Sequence, residues 1–284
     1  MIAANFEYES PGTLNEALDL LSSREDAKIL AGGHSLLPAM KLRLATPALL
    51  VDIGRITGLN YIREAGERIA IGAMTTHVEV LSSPVLQRHS PLLPQAASQI
   101  GDTQVRNCGT IGGSLAQAHP GADYPAAVLT LDAEIVATSR NGQRVIRVGD
   151  FFTGMFTTAL KPDEIITEVR IPKTDGQGVA YKKHHHPASG YAVVGVAVRV
   201  SGSSGKTDTV AIGITGVADH AYRATAVENA LRGKSTAAIK DASPHVADGV
   251  EVLGDYYASA EYRKHVAGIY TRRAFEQATG VNKK

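Results

Sequence analysis

Two short runs of small residues carry the first sign of chemistry. They are Thr110-Ile111-Gly112-Gly113-Ser114 and, 79 positions earlier, Ala31-Gly32-Gly33-His34-Ser35-Leu36. Adjacent glycines beside Ser or Thr let the backbone turn tightly with no bulky side chain in the way. Such a turn aims several N–H groups at one point and makes a nest for an anion. Two of similar make suit the two phosphates of a diphosphate, gripped from opposite sides. Either run alone is weak, because turns need glycine anyway. Neither fits G-x-G-x-x-G or G-x-x-x-x-G-K-[ST], so a Rossmann or P-loop site is not supported. Gly33-His34-Ser35 is no nucleophile elbow either, since Leu37 stands where G-x-S-x-G needs its last glycine.

Three further groups could do chemistry. Asp123-Tyr124-Pro125 has the form of a helix start, with Asp as cap and Pro in the first turn. Its carboxylate serves either as that cap or as an acceptor for a ribose hydroxyl. His184-His185-His186 invites a metal reading, but neighbours on a strand point to opposite faces. No Asp or Glu lies between Gln177 and Val200 to complete a site. Strand-end residues, or one histidine bordering a ligand, fit better. Tyr191 follows the small residues Ala188-Ser189-Gly190 and is either core or the cover of a ring system.

Composition narrows the function classes. A net charge of +1 without a dense Lys/Arg cluster argues against a nucleic-acid surface. The start of the chain has no basic segment followed by an apolar one, and no run reaches about 18 apolar residues. A cytoplasmic protein is expected. Cys108 is the single cysteine. It excludes an internal disulfide, a Cys-rich zinc site and an iron–sulfur cluster held by this chain alone. Redox chemistry would need a bound organic cofactor, or a metal held by His and carboxylates.

The elements that must position these residues follow from periodicity. Phe6 to Ser10 reads as a strand, and Thr13-Leu14-Asn15-Glu16 as a capping box before Leu14, Ala17, Leu18 and Leu21 at helical spacing. Strands at Ala27–Ala31 and Leu49–Ile53 flank a helix over Ser35–Leu44, giving one β-α-β-α-β unit. A strand at Arg68–Gly72 and a helix from Thr76 to Leu81 follow. A helix carrying Leu93, Ala97 and Ile100 then leads to a polar turn at 102–107. The helix from Asp123 runs to Leu131, and a hairpin turns at Asn141-Gly142. Ile165 to Ile171 is a strand, and 173–178 is the best linker. Strands at Val179–Lys183, Tyr191–Val200 and Thr209–Val217 precede helices at Ala224–Leu231, Ala237–Val246 and Tyr262–Thr279. In the last helix Tyr262, Val266, Ile269 and Tyr270 share a face. Strands followed by helices predict an α+β fold.

The two glycine runs, with Leu37-Pro38 after the first, and Asp123-Tyr124-Pro125 together resemble the flavoprotein (medium) subunit of molybdenum hydroxylases. This is the family of carbon monoxide and xanthine dehydrogenases, and the resemblance covers nearly the whole chain. It implies a two-lobed FAD-binding domain of the vanillyl-alcohol oxidase and p-cresol methylhydroxylase type. That domain would span 1–173, with lobes of about 1–54 and 55–173. A small α+β domain of antiparallel strands and three helices would occupy 174–284. The resemblance also implies that Ala31, Gly32, Gly33, His34, Ser35 and Leu36 grip the FAD diphosphate together with Thr110, Ile111, Gly112, Gly113 and Ser114. Asp123 would contact FAD, and Ile100, Ile166 and Lys182 would line the flavin or its chain. Tyr191 would lie next to the isoalloxazine. Lys182 is otherwise a solvated strand residue; beside the flavin N1–C2 edge it would favour reduced flavin.

The implied function is electron transfer. Substrate would be oxidised at a molybdenum cofactor in a large subunit, and electrons would cross [2Fe–2S] clusters of a small subunit to FAD here. Reduced FAD would pass them to an external acceptor, in a dimer of heterotrimers. No residue of this chain would act on the organic substrate. Two rivals remain at this stage: a self-sufficient flavin oxidoreductase of the same fold, and a non-catalytic nucleotide-binding scaffold.

Overall fold

The computed structural model describes residues 2–280; Met1 and residues 281–284, the outer ends of the two expected domains, lie outside the described residues. The first lobe comprises β1 (Glu7–Glu9), α1 (Leu14–Ser23), β2 (Ala27–Leu30), α2 (Leu36–Lys41) and β3 (Leu49–Asp52). Its sheet is parallel, in the order β1-β3-β2. The expected capping box is formed: Thr13 Oγ1 accepts from Glu16 N–H, and the Glu16 carboxylate accepts from Thr13 N–H. α2 stops short of Leu44, because Arg43 turns into the left-handed region at φ 58°.

The second lobe opens with β4 (Ile62–Ala65) and β5 (Arg68–Gly72). Six short helices follow: α3 (His77–Ser82), α4 (Pro84–His89), α5 (Leu92–Ser98), α6 (Thr103–Cys108), α7 (Ile111–Gln117) and α8 (Asp123–Thr130). It closes with β6 (Glu134–Ser139), β7 (Gly142–Arg147), β8 (Phe152–Gly154), β9 (Thr157–Thr158) and β10 (Ile165–Pro172). The main sheet is antiparallel, in the order β4-β5-β10-β6-β7. β4, β8 and β9 have no counterpart among the expected strands; each has four residues or fewer, too few to show a period. The polar turn expected at 102–107 is α6, capped by Asp102 Oδ1 accepting from Val105 N–H at 2.8 Å.

The third unit contains β11 (Gly178–His185), β12 (Ala192–Ser201), β13 (Thr209–Thr215) and β14 (Tyr222–Arg223), antiparallel in that order. α9 (Thr225–Leu231), α10 (Ile239–Ala242) and α11 (Ala260–Thr279) follow. The single helix expected at 237–246 is broken into α10 and two 3-10 turns, with Pro244 in the second. On α11 the buried side is Arg263, Val266, Ala267, Ala274 and Phe275; Tyr262 faces outward at 44% exposure.

β12 is apolar at successive positions because both its faces are covered. Val194, Val196 and Val198 join the core with α9 and α11, while Ala197 joins the core that contains α8. All eight residues of α8 are buried. A Cβ built on Gly213 of β13 would lie 2.2 Å from Ala126 O and 2.6 Å from Thr130 Oγ1. Glycine is therefore required there for α8 to lie on the sheet. Gly213→Ala should destabilise the protein by about 1–3 kcal/mol, the usual cost of overpacking a core. Urea unfolding checks this, and an unchanged midpoint would show that α8 is free to shift.

Candidate functional site

The two glycine runs meet in space. A Cβ on Gly32 would lie 2.1 Å from Cys108 O and 2.8 Å from Gly109 Cα, so the turn after β2 rests directly on the backbone entering α7. One residue pair on, a Cβ on Gly113 would come 3.7 Å from Ala31 Cβ. The seam between the lobes is thus closed by residues without bulk.

The two runs differ in form. The first is an open turn with Gly33 at φ 74°. The N–H groups of Gly33, His34 and Ser35 have no acceptor among the described residues. The second run is the first turn of α7 and not a free-standing turn. Thr110 caps it through Oγ1, which accepts from Gly113 N–H at 3.1 Å. Ile111 N–H donates to Thr75 O and Gly112 N–H to Ala73 O. Gly112 is glycine because a Cβ would lie 2.6 Å from Ala73 Cβ. The first run therefore brings donors, and the second brings a backbone surface bare of side chains. Three unpaired N–H groups in one turn fit a diphosphate.

Asp123 is not a cap. Ala122 holds the N-cap position of α8, and Asp123 is the first helical residue, 4% exposed. Its carboxylate points across to β11. Lys183 Nζ lies 2.8 Å from Oδ2 and donates also to Gln99 O at 2.9 Å, while Tyr181 Oη donates to Oδ1 at 2.6 Å. Gly195, opposite Lys183 on β12, leaves the room: a Cβ there would lie 2.5 Å from Tyr181 Oη. Burial pushes the Asp123 carboxyl up to about 6, and the Lys183 ammonium and Tyr181 hydroxyl oppose that rise. The carboxylate form is the one these two donors favour.

Lys182, expected beside the flavin, lies on the other face of β11 from this group. Strand alternation places it with Ala180, in the α11 core, and with His184, whose ring approaches Tyr262 and Tyr270 of α11. Lys183 is the lysine that the same alternation turns toward Asp123. The three histidines divide as the alternation requires: His185 Nε2 lies 3.0 Å from Gln99 Oε1, and His186 Nδ1 accepts from Ala188 and Ser189 N–H. Ile166 is 5% exposed within the second-lobe core, and Ile100 packs half-buried at the edge of that core, just past α5. Tyr191 is half-buried and stacks on His119, at 3.9 Å between ring centres and 8° between planes. Sequence reading missed Lys183, Tyr181 and His119. The first two share a strand face with period two, and that was the available signal; nothing in the pattern pointed to His119.

Below Gly109 sits His77, 5% exposed, edge-on to the Tyr124 ring and with Nδ1 unpartnered. Burial holds it down to about 4, and the charges of His34 and Arg106 act in the same direction. Its folded value lies below its unfolded one, so its contribution is complete above about 6.5 and is lost as pH falls toward 4. Between pH 7 and 5 this group should cost about 2 kcal/mol of stability, and His77→Gln should remove that part of the slope. Urea unfolding at the two pH values decides; equal losses in both proteins would refute it. Lys183→Met strands the Asp123 carboxylate and should destabilise by about 3–5 kcal/mol, with Asp123→Asn in the same chain restoring much of the loss. A single variant as stable as wild type would contradict this.

Residues 4–174 match the FAD-binding domain found in molybdopterin dehydrogenase, and residues 179–278 match the CO dehydrogenase flavoprotein C-terminal domain. The chain is 41% identical to the carbon monoxide dehydrogenase medium chain of Hydrogenophaga pseudoflava, over 98% of each chain. It is 34% identical to the glyceraldehyde dehydrogenase medium chain of Sulfolobus acidocaldarius, over 98% of this chain and 99% of that one. Among solved structures, carbon monoxide dehydrogenase from Hydrogenophaga pseudoflava superposes with a TM-score of 0.96 at 42% identity, over 99% of both chains. Quinoline 2-oxidoreductase from Pseudomonas putida 86 superposes with a TM-score of 0.93 at 31% identity, again over 99% of both. With both halves matched in order, the relatives matched end to end, and a glycine seam that fits a diphosphate, this chain belongs to the FAD-binding medium subunits of the molybdenum hydroxylases.

Proposed function

We propose that the chain is the electron-transfer subunit of a molybdenum-containing dehydrogenase complex in the cytoplasm. It takes electrons from [2Fe–2S] clusters of a small partner subunit and passes them to an external acceptor. Oxidation of the organic substrate belongs to a large subunit with the molybdenum cofactor, in a dimer of heterotrimers. The single Cys108 supports this division, because iron–sulfur ligands must come from another chain. Residues 1–173 form the FAD-binding domain and 174–284 the flavoprotein C-terminal domain.

The observation that carries the reading is the seam between the glycine runs. The N–H groups of Gly33, His34 and Ser35, which have no acceptor among the described residues, would donate to the diphosphate. Gly113 would let it lie against backbone, while Gly112 lets α7 sit on Ala73. Thr110 holds the start of α7 in place through its cap, Ile111 seats that turn in the core, and Leu36 and Ser114 would flank the chain of the cofactor. Asp123, fixed by Lys183 and Tyr181, anchors the neighbouring α8. Tyr191 lies beside the ring system. Bound FAD would supply a two-electron carrier that can be filled one electron at a time and emptied to an external acceptor.

The absorbance spectrum of the purified chain, before and after heat release of its chromophore, tests the reading. Flavin bands with FAD released are expected; a colourless protein that takes up no added FAD would remove the dinucleotide site. Gly113→Val adds bulk at the seam and should abolish FAD retention in a protein whose circular dichroism is unchanged. Full occupancy in that folded variant would take Gly113 out of the site.

A further inference from the structure

The loop between α7 and α8 does more than join them. Ala118 takes the left-handed conformation, φ 46°, which a residue with a Cβ seldom adopts. That turn sends His119 back under Tyr191, where the two rings lie 3.9 Å apart and 8° from parallel. Phe156, at the β8–β9 turn, is also left-handed at φ 54°, and its N–H donates to Ala118 O. Its ring meets the His119 ring edge-on at 5.2 Å and 82°. Gly121 N–H donates to His119 Nδ1 at 3.0 Å, so the imidazole is held in its plane and the proton of the neutral ring is on Nε2. The loop also grips the backbone around Tyr191. Ala192 N–H donates to Gly121 O, and a Cβ on Gly121 would lie 3.4 Å from Tyr191 Cβ.

Three loops, 118–122, 154–157 and 186–191, therefore converge on one stack. Two non-glycine residues held at positive φ show that local preference has been overridden to build it. His119 covers one face of the Tyr191 ring. Tyr191 is nonetheless only half-buried, and its ring has no other ring partner among the described residues. Burial holds the His119 imidazole below its ordinary pKa and so favours the neutral ring beneath Tyr191.

We propose that His119 is a positioning residue for the flavin: it fixes the plane of Tyr191, whose open face then meets the isoalloxazine. The proposal rests on the placement of Tyr191 beside that ring system given above. His119 touches the tyrosine and acts on the cofactor only through it. The Phe156 ring and the Gly121 N–H fix His119 in turn.

The experiment titrates flavin-free protein with FAD for wild type, His119→Ala, His119→Phe, Tyr191→Ala and the His119→Ala/Tyr191→Ala pair. Flavin fluorescence and the visible spectrum are the readouts, with the flavin potential measured on the loaded proteins. His119→Ala should weaken FAD binding about five-fold, the scale of one aromatic stack, and should move the flavin band and potential. His119→Phe keeps a flat ring and should restore affinity and spectrum. In the Tyr191→Ala background, His119→Ala should add nothing. Wild-type affinity, spectrum and potential in His119→Ala would overturn the proposal. So would an undiminished effect of His119→Ala once Tyr191 is gone, or a flavin spectrum indifferent to Tyr191→Ala. Failure of the wild-type chain to take up FAD would overturn the site itself, and is separate from each of these.

Discussion

The contact on which the molecule turns is the Asp123–Lys183 pair. Its members come from α8 and β11, so it ties the second lobe to the last unit. Both side chains are out of water, and each is paired within 3 Å. A buried ion pair contributes little net stability compared with a well-packed apolar contact, but removal of one member is costly. Tyr181 and Gln99 O add one hydrogen bond to each member of the pair. The pair therefore acts mainly as a register device. It links the first turn of α8, just after the loop at 118–122, to β11.

The seam shows how two similar sequences end as different structures. Gly32-Gly33 follows a strand that ends, and the N–H groups of Gly33, His34 and Ser35 have no partner among the described residues. Gly112-Gly113 enters a helix whose first N–H groups are bonded to Ala73, Thr75 and the Thr110 cap. One run is a donor and the other is a wall. The difference lies in what precedes them. Thr110, two residues before its glycine pair, has the side chain of a helix cap, and Leu30, at the same place before Gly32-Gly33, does not.

Much of this was legible before any coordinates. The capping box at Thr13–Glu16, the turn at Asn141-Gly142 and the strands Leu49–Asp52 and Ile165–Pro172 follow from local chemistry. The α+β class follows from element order. What escaped the sequence was set by contacts distant in the chain. The helix α6 hides in a polar stretch because Asp102, Thr103 and Gln104 look like turn residues until the cap is seen. Asp123 looks like a cap because it precedes Tyr124-Pro125; only β11, 58 and 60 residues on, shows what its carboxylate faces. Lys182 and Lys183 differ only by strand parity, and parity becomes readable only when Tyr181 is known to point at Asp123. His119 stacks on Tyr191 through a backbone conformation that no residue type at Ala118 announces.

The join at 175–178 separates two sequence modules, yet the architecture does not come apart there. Tyr181 and Ala197 of the last unit lie in the same core as Leu93, Tyr124 and Ile171. α8 has its whole surface buried, part of it by β12 and β13. A free-standing first module would expose that helix and leave Asp123 without its cation. A free-standing second module would carry Lys183 into solvent beside bare strands. A cut at 175–178 would therefore run through one salt bridge and through the close approach that Gly213 permits, so the sequence boundary is not a mechanical one.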